Sequence, residues 1–331
     1  RAVDYERRGE FPWELFRKCA QQGYIGMAWP PEYGGQGMGT TETLLVCYEF
    51  CRADPSLGSA VIAGTFGSDI IAHFGTLEQK AKWLPPLTRG EITSAGCFTE
   101  PAGGSDISRV LDTRAIKAEG RWLVNGAKTF ITNATIATIF VTLVQTDPQA
   151  KPGYRGQTEF IIERGPGLET RALKGKMGWH PSPTGEVFFN DMKVADDAIV
   201  GGTATLNRGF YMGLSFLDEA RLAVGNMSLA TADAALEKAF AYARERQAFG
   251  RRIGGFQGLA FRLVEMATQV ELTRSLLQRG TWLSERAKKD PAFREESIRI
   301  ASMCKWYGAR VAVEACDLLV DVYGGSGYFA E

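Results

Sequence analysis

The sequence predicts an α+β chain in three parts. An N-terminal helical domain (residues 1–91) leads into a central antiparallel β domain (92–206), and a four-helix-bundle-like domain (207–331) follows. Three observations carry that expectation. Apolar residues recur at helical spacing up to about Gly90, between Pro- and Gly-rich breaks. From Ile92 to Val200 the pattern changes to short β-branched runs separated by Gly, Asn and Asp. After Asn207 it returns to helix and stays there, in long stretches without internal proline.

In chain order, Pro12 suits the first turn of a helix through Leu15 and Cys19, and Gly23 suits its end. Pro30–Gly37 is loop. Helical spacing resumes at Thr41–Cys51, Leu57–Phe74 and Thr76–Leu84, the last opened by Thr76 and Gln79 at the separation of a capping box. Strand candidates are Ile92–Phe98, Arg121–Val124, Ile136–Val144, Glu159–Ile162 and Glu186–Phe189, with Asn125-Gly126 and Asn190-Asp191 as candidate turns. No strand, glycine loop and helix follow one another as a dinucleotide-binding βαβ unit requires. Gly209–Ala248, Phe256–Lys289 and Pro291–Tyr323 are long enough for a bundle, or for a core shared between subunits.

The 331 residues include 38 basic and 38 acidic side chains, so no net charge is available to hold nucleic acid or an anionic membrane. No apolar run reaches the roughly 20 residues that span a bilayer. The charged start, Arg1–Arg8, lacks the apolar stretch of a signal peptide, and an opening arginine suggests that residues precede it. Six cysteines without zinc-like spacing and only two histidines argue against a metal site. They read as reduced, buried thiols of a cytosol-like compartment, with Cys47 and Cys51 on one helix face.

The segment richest in chemistry is Cys97-Phe98-Thr99-Glu100-Pro101-Ala102-Gly103-Gly104-Ser105-Asp106. Its glycines and hydroxyls serve equally well as turn chemistry or as a place where backbone approaches a ligand. Phe130-Ile131-Thr132-Asn133 adds an aromatic face beside another hydroxyl. Together the two segments suit a flat heteroaromatic cofactor that carries phosphate.

With the α–β–α order, these segments resemble the acyl-CoA dehydrogenase family over essentially the whole chain. Pro31–Gly37 is similar to the family's N-terminal loop and Thr99–Asp106 to its first signature. Phe130–Asn133 stands where the family carries Trp-Ile-Thr-Asn. Glu245-Arg246, Phe249-Gly250 and Gln257 resemble a flavin contact made across a dimer, and Gly324–Tyr328 resembles the start of the second signature.

The resemblance implies FAD as cofactor and an acyl-CoA thioester as substrate. It places backbone groups of Cys97 and Phe98, and the Thr99 hydroxyl, against the isoalloxazine, with Gly104 and Ser105 in the same loop. Phe130 shields the ring, Ile131 lies beside it, and Thr132 donates near N5. Ser105 contacts both flavin phosphate and substrate. Arg246 meets the pyrophosphate of a neighbouring subunit's flavin, with Phe249, Gln257, Asp321, Gly324 and Gly325 completing that contact. Asp321 departs from the usual Gln, and an anion beside a pyrophosphate is unfavourable. Ser182, Asp218 and Arg221 fall where the family contacts CoA, and Leu57–Thr65 lines part of the acyl pocket. Phe98 and Arg109 replace smaller residues.

The implied reaction needs a carboxylate at the substrate α-carbon. The family's commoner base position lies beyond Glu331, so the chain reads as truncated at its C-terminus. The alternative position is Ala220, and Glu219 points about 100° away round the helix. No base is therefore assigned. The leading expectation is an FAD-dependent acyl-CoA dehydrogenase that forms a 2,3-enoyl thioester and passes electrons to an electron-transfer flavoprotein. Such an enzyme would be a homodimer or homotetramer, in bacterial cytoplasm or else the mitochondrial matrix. The alternatives are an oxidase or monooxygenase of the same fold, or a non-catalytic flavin-binding scaffold.

Overall fold

The computed structural model describes residues 2–329. Helices α1 (Ala2–Arg8), α2 (Trp13–Gln21), α3 (Thr40–Ala53), α4 (Pro55–Ile62), α5 (Ser68–Phe74) and α6 (Leu77–Thr88) come first. Strands β1 (Ser94–Cys97), β2 (Arg114–Ala118), β3 (Arg121–Thr132), β4 (Ile139–Gln145), β5 (Gln157–Glu163), β6 (Leu168–Ala172) and β7 (Thr184–Val194) follow. Helix α7 (Gly209–Glu245), the short strands β8 (Gln247–Ala248) and β9 (Arg251–Arg252), and helices α8 (Gln257–Lys289) and α9 (Arg294–Tyr323) complete the order. The helical ends and central β region agree with the α+β expectation. No helix among the described residues is long and apolar enough to cross a membrane.

Two compact units result. One joins the chain up to Met38 with Ser59–Leu217, and the other joins Gly39–Gly58 with the chain from Asp218. In the first, the sheet runs β1-β4-β2-β3-β7-β6, with β5 also paired to β4. Most neighbours are antiparallel, while β1 and β2 each join β4 in parallel. Strand β4 is buried on both faces, which explains its largely apolar sequence, interrupted by Thr142 and closed by Gln145. Phe140 and Val144 enter one core with Val124, Phe160 and Phe189, whereas Val141 and Leu143 enter another with Trp29, Leu84, Ile161 and Phe216.

Several local expectations change. Helix does not run through Leu57–Phe74: it breaks between Ile62 and Ser68, where Gly67 takes φ 91 and Thr65 bridges to Ser94. Asn125-Gly126 and Asn190-Asp191 are not turns, because β3 and β7 run straight through them as partners. The register gains one residue on β7 there, and the side chains satisfy the interruption themselves. Asn125 Nδ2 donates to Asp191 Oδ1 at 2.9 Å, and the Asp191 amide donates back to Asn125 Oδ1 at 2.9 Å. The true hairpin turn is Glu119-Gly120 between β2 and β3, with φ 50 and 75, a backbone glycine adopts without penalty.

In the second unit the helices bury one stripe each. On α8 the buried positions are Leu263, Met266, Val270, Thr273, Leu277, Gly280 and Leu283, each three or four after the last; α9 shows the same spacing from Cys304 through Gly308, Val311, Ala315, Leu318 and Val322. Asp233 on α7 ties three helices together. It accepts from Tyr48 Oη of α3 at 2.5 Å and from Arg274 of α8 at 2.7 and 2.8 Å.

At the start of α6 the capping box forms in full. Thr76 Oγ1 accepts from the Gln79 amide at 3.2 Å and Gln79 Oε1 from the Thr76 amide at 3.0 Å. Replacing Thr76 by Ala should lower stability by about 1 kcal/mol. A shift in the urea midpoint at unchanged slope checks it.

Candidate functional site

The residues expected to hold a cofactor gather in two places, one in each unit. In the first unit the chain leaves β1 through Phe98 and Thr99. The Cys97 thiol is wholly buried, and burial pushes it up to about 12. The Phe98 ring stacks on Phe216 with centroids 6.0 Å apart. Cys97 and Phe98 therefore offer a ligand their backbone only. Thr99 is half-buried, and its carbonyl accepts from the Thr129 amide at 3.0 Å, which lays the segment along β3. Exposed Gly104 stands against it: a Cβ there would lie 3.3 Å from Thr99 Cγ2, while Ser105 faces solvent.

On β3 one extra residue sits between the pairs Lys128↔Val187 and Ile131↔Gly185. This bulge leaves Phe130 at φ 56 with 70% of its surface exposed. A bulky residue with that backbone is strained, and it shows its ring to solvent as well. Ile131 points into the core, and Thr132 is half-buried opposite Thr184. Ser182, two residues before Thr184, is buried; its amide donates to the Trp179 carbonyl at 3.0 Å, and its carbonyl accepts from Lys176 Nζ.

A buried charge network lies behind these segments. Lys128 Nζ donates to the Phe98 carbonyl at 3.2 Å and to Glu100 Oε1 at 3.0 Å, and neither side chain of the Lys128–Glu100 pair is exposed. Glu100 also accepts from the amides of Asp112 (2.8 Å) and Thr113 (2.9 Å) and from Arg109 (2.8 Å). Burial alone would raise the Glu100 carboxyl, but Lys128 and the two amides outweigh it and hold the group below its ordinary value. Burial lowers Lys128, against the pull of Glu100. Arg109, which stood out in the sequence only as oversized, thus has a partner. Lys128 and Glu159 gave no signal, since charged residues in strands ordinarily face water.

Glu159 on β5 is the exception to this pairing. It is buried, and neither carboxylate oxygen has a hydrogen-bond partner among the described residues. Burial pushes it from 4.5 to about 8, with Lys128 opposing.

In the second unit, β8 and β9 form a hairpin whose two-residue turn is Phe249-Gly250, at φ 51 and 76. Phe249 is 96% exposed, and Arg246 and Gln257 are exposed on either side of the hairpin. Asp321, in the last turn of α9, is paired with Arg262 at 2.6 Å. That pairing offsets the negative charge that made Asp321 unfavourable, and Arg262, 59 residues away in the chain, carries no local signal of it. Tyr242 and Tyr323 stack at 4.3 Å and join the ends of α7 and α9. Gly324 ends α9 at φ 58, and a Cβ on Gly324 or Gly325 would meet nothing within 4 Å.

Away from this end, Asp218 and Arg221 form a half-buried ion pair on α7. Burial raises the Asp218 carboxyl, partly offset by Arg221. Ala220 supplies no carboxylate, and Glu219 turns to Lys288 at 3.5 Å. Glu331, the reference point for the expected base, lies outside the described residues.

Family models named for the N-terminal, middle and C-terminal domains of acyl-CoA dehydrogenase match residues 1–91, 95–192 and 207–331. The acyl-CoA dehydrogenase of Bacillus subtilis is 34% identical over 328 residues, covering 98% of this chain and 83% of that protein. The chain belongs to the acyl-CoA dehydrogenase family. Another relative is subunit CarC of the caffeyl-CoA reductase-Etf complex of Acetobacterium woodii, 32% identical over 99% of this chain and 84% of its own length. Among solved structures, butyryl-CoA dehydrogenase from Megasphaera elsdenii matches with a TM-score of 0.89 and 30% identity, over 99% of this chain and 84% of that one. As an acyl-CoA dehydrogenase the protein is a flavin-dependent oxidoreductase with FAD as its cofactor.

The residues present fit that cofactor. Phe130 offers an exposed ring two residues before Thr132 on β3, the adjoining Thr129 amide holds the Thr99 segment alongside, and Gly104 is exposed. In the second unit an exposed arginine and two glycines with free space around them suit phosphate.

The orphaned Glu159 makes a stability prediction. The folded chain keeps this proton up to about pH 8, while the unfolded chain releases it near 4.5. The folded state therefore binds more protons in that window, and stability falls as pH rises through it. Glu159→Gln should flatten the fall and raise stability near pH 8 by roughly 1–3 kcal/mol. Urea titrations at pH 5, 6.5 and 8 check it; an unchanged slope would count against the assignment.

Proposed function

We propose that the protein oxidises an acyl-CoA thioester to its 2,3-enoyl form and hands the electrons to an electron-transfer flavoprotein. Membership of the family supplies the general reaction, and the observation that supports the site is Phe130. Its exposed, left-handed placement has no packing purpose in its own unit, yet it stands beside Thr132 and the Thr99 segment. When bound there, FAD supplies the acceptor for the substrate β-hydride. The chain's part is to present the Thr99 and Thr132 hydroxyls and the backbone of Cys97, Phe98 and Ile131, and to keep water from one side with Phe130. Gly104 and Ser105 extend the same surface.

In this reading Arg246, Phe249, Gln257, Asp321, Gly324 and Gly325 complete the flavin contact for a second copy, in a homodimer or homotetramer. Their exposure at one end of the helical unit supports it. Each unit brings its own candidates for contact with CoA: Ser105 and Ser182 in the first, and in the second the half-buried Asp218 and Arg221, suited to a polar linker. The base that takes the α-proton belongs to none of these positions. The Etf partnership named for CarC supports the choice of electron acceptor, and the bacterial origin of the relatives supports a cytoplasmic setting.

Anaerobic addition of a panel of acyl-CoA thioesters to the flavoprotein should bleach the flavin band for at least one member, with slow reoxidation in air and fast reoxidation by an electron-transfer flavoprotein. Fast reoxidation by oxygen would instead mark an oxidase, and no bleaching with any thioester would sink the dehydrogenase reading. Replacing Arg246 by Leu should weaken FAD binding about tenfold or more, read by equilibrium dialysis.

A further inference from the structure

We propose that Lys128 is a positioning residue for the flavin site, its buried ammonium fixing where the Phe98–Thr99 segment stands against Phe130 and Thr132. The inference rests on the reading of that site given above. The ammonium spans two segments: it is rooted on β3, two residues before Phe130, and bonds the Phe98 carbonyl and Glu100 Oε1 on the segment that leaves β1. Between those contacts the Thr129 amide meets the Thr99 carbonyl at 3.0 Å. The sides of the proposed cradle are thus joined by three hydrogen bonds within a few residues, and two of them belong to one side chain.

The far end of the tether is anchored in turn. Glu100 is held by the amides of Asp112 and Thr113 and by Arg109, so Lys128 pulls on a carboxylate that has little freedom to move. Stability is a poor explanation for the arrangement. A buried ion pair generally gains little over apolar side chains of the same volume, since both charges lose their water. The burden here is greater, because the carboxyl of Glu159 is also buried near the same ammonium without any hydrogen bond. Geometry explains it better: an apolar pair would fill the space but would not set the direction of the Phe98 carbonyl or the height of Thr99. The ammonium also offsets the buried carboxylate of Glu100, so its loss would leave a negative charge behind both segments and disfavour added negative charge on a group held in front of them.

Lys128→Met tests this, with Lys128→Arg as the conservative control and FAD affinity, the visible spectrum and the midpoint potential of the bound flavin as readouts. Lys128→Met should fold, bind FAD about tenfold or more weakly, and shift the potential to a more negative value; Lys128→Arg should recover much of both. Wild-type affinity and potential in folded Lys128→Met would overturn the inference, as would equal losses in the two variants. Should Lys128→Met not fold, the double variant Lys128→Met/Glu100→Gln takes its place; it removes one charge of each sign, so the expected loss is of FAD affinity alone, and wild-type binding by it would again overturn the proposal. Failure of the unmodified protein to bind FAD would instead sink the reading of the site.

Discussion

A lysine side chain with no exposed surface has to satisfy its ammonium inside the protein, and three stretches of chain are arranged around Lys128 to do so. The segment after β1 supplies a carbonyl and a carboxylate, the turn at 109–113 supplies the donors that steady that carboxylate, and β3 supplies the lysine. Breaking a pair of this kind by removing one partner strands a charge, at a cost of roughly 3–5 kcal/mol. The loop from Thr99 to Thr113 therefore cannot be repositioned independently of β3. Its conformation is a property of the sheet, although by composition it reads as free loop.

The two clusters of exposed site residues are built differently and share one device. In the first unit an inserted residue in a strand turns Phe130 outward; in the second a two-residue hairpin does the same for Phe249. Both aromatic residues have positive φ, 56 and 51, a region that bulky side chains seldom occupy. In each case neighbouring pairings over-determine the backbone: the β3–β7 ladder on one side and the β8–β9 ladder on the other. Strained aromatics held outward by regular structure are what a binding surface requires, since collapse of the ring onto its own unit would remove the surface.

The legible parts of the sequence were those with local causes. The capping box at Thr76, the stripe on α8 and the apolar run of β4 each follow from residues a few positions apart. The misread parts had partners far away in the chain. Asn125-Gly126 has the composition of a turn, and only Asp191, 66 residues later, makes it strand. Glu119-Gly120, the actual turn, carries a weaker local signal. The same holds for the site. Thr99, Phe130 and Thr132 stood out through segments of distinctive composition, whereas Arg262 beneath Asp321 and Lys128 beside Glu100 are defined by contacts across 59 and 28 residues. Period-two alternation would have grouped Lys128 with Phe130 on one face, and the bulge separates them.

The paired irregularities of β3 and β7 bear on which changes of length the chain tolerates. The extra residue on β7 opposite Asn125 and the extra residue on β3 before Ile131 lie on opposite strands, so the offset introduced by the first is cancelled by the second. Between them the ladder is displaced by one residue; outside them it is in step. A single-residue deletion at one bulge would leave the other uncompensated and exchange the inner and outer faces of all that follows, from Thr132 and Thr184 to the neighbouring β6. A matched pair of deletions, one in each strand, would restore the register while erasing the outward turn at Phe130. Length variation along this ribbon is thus constrained in pairs, and substitutions are the changes it accepts singly.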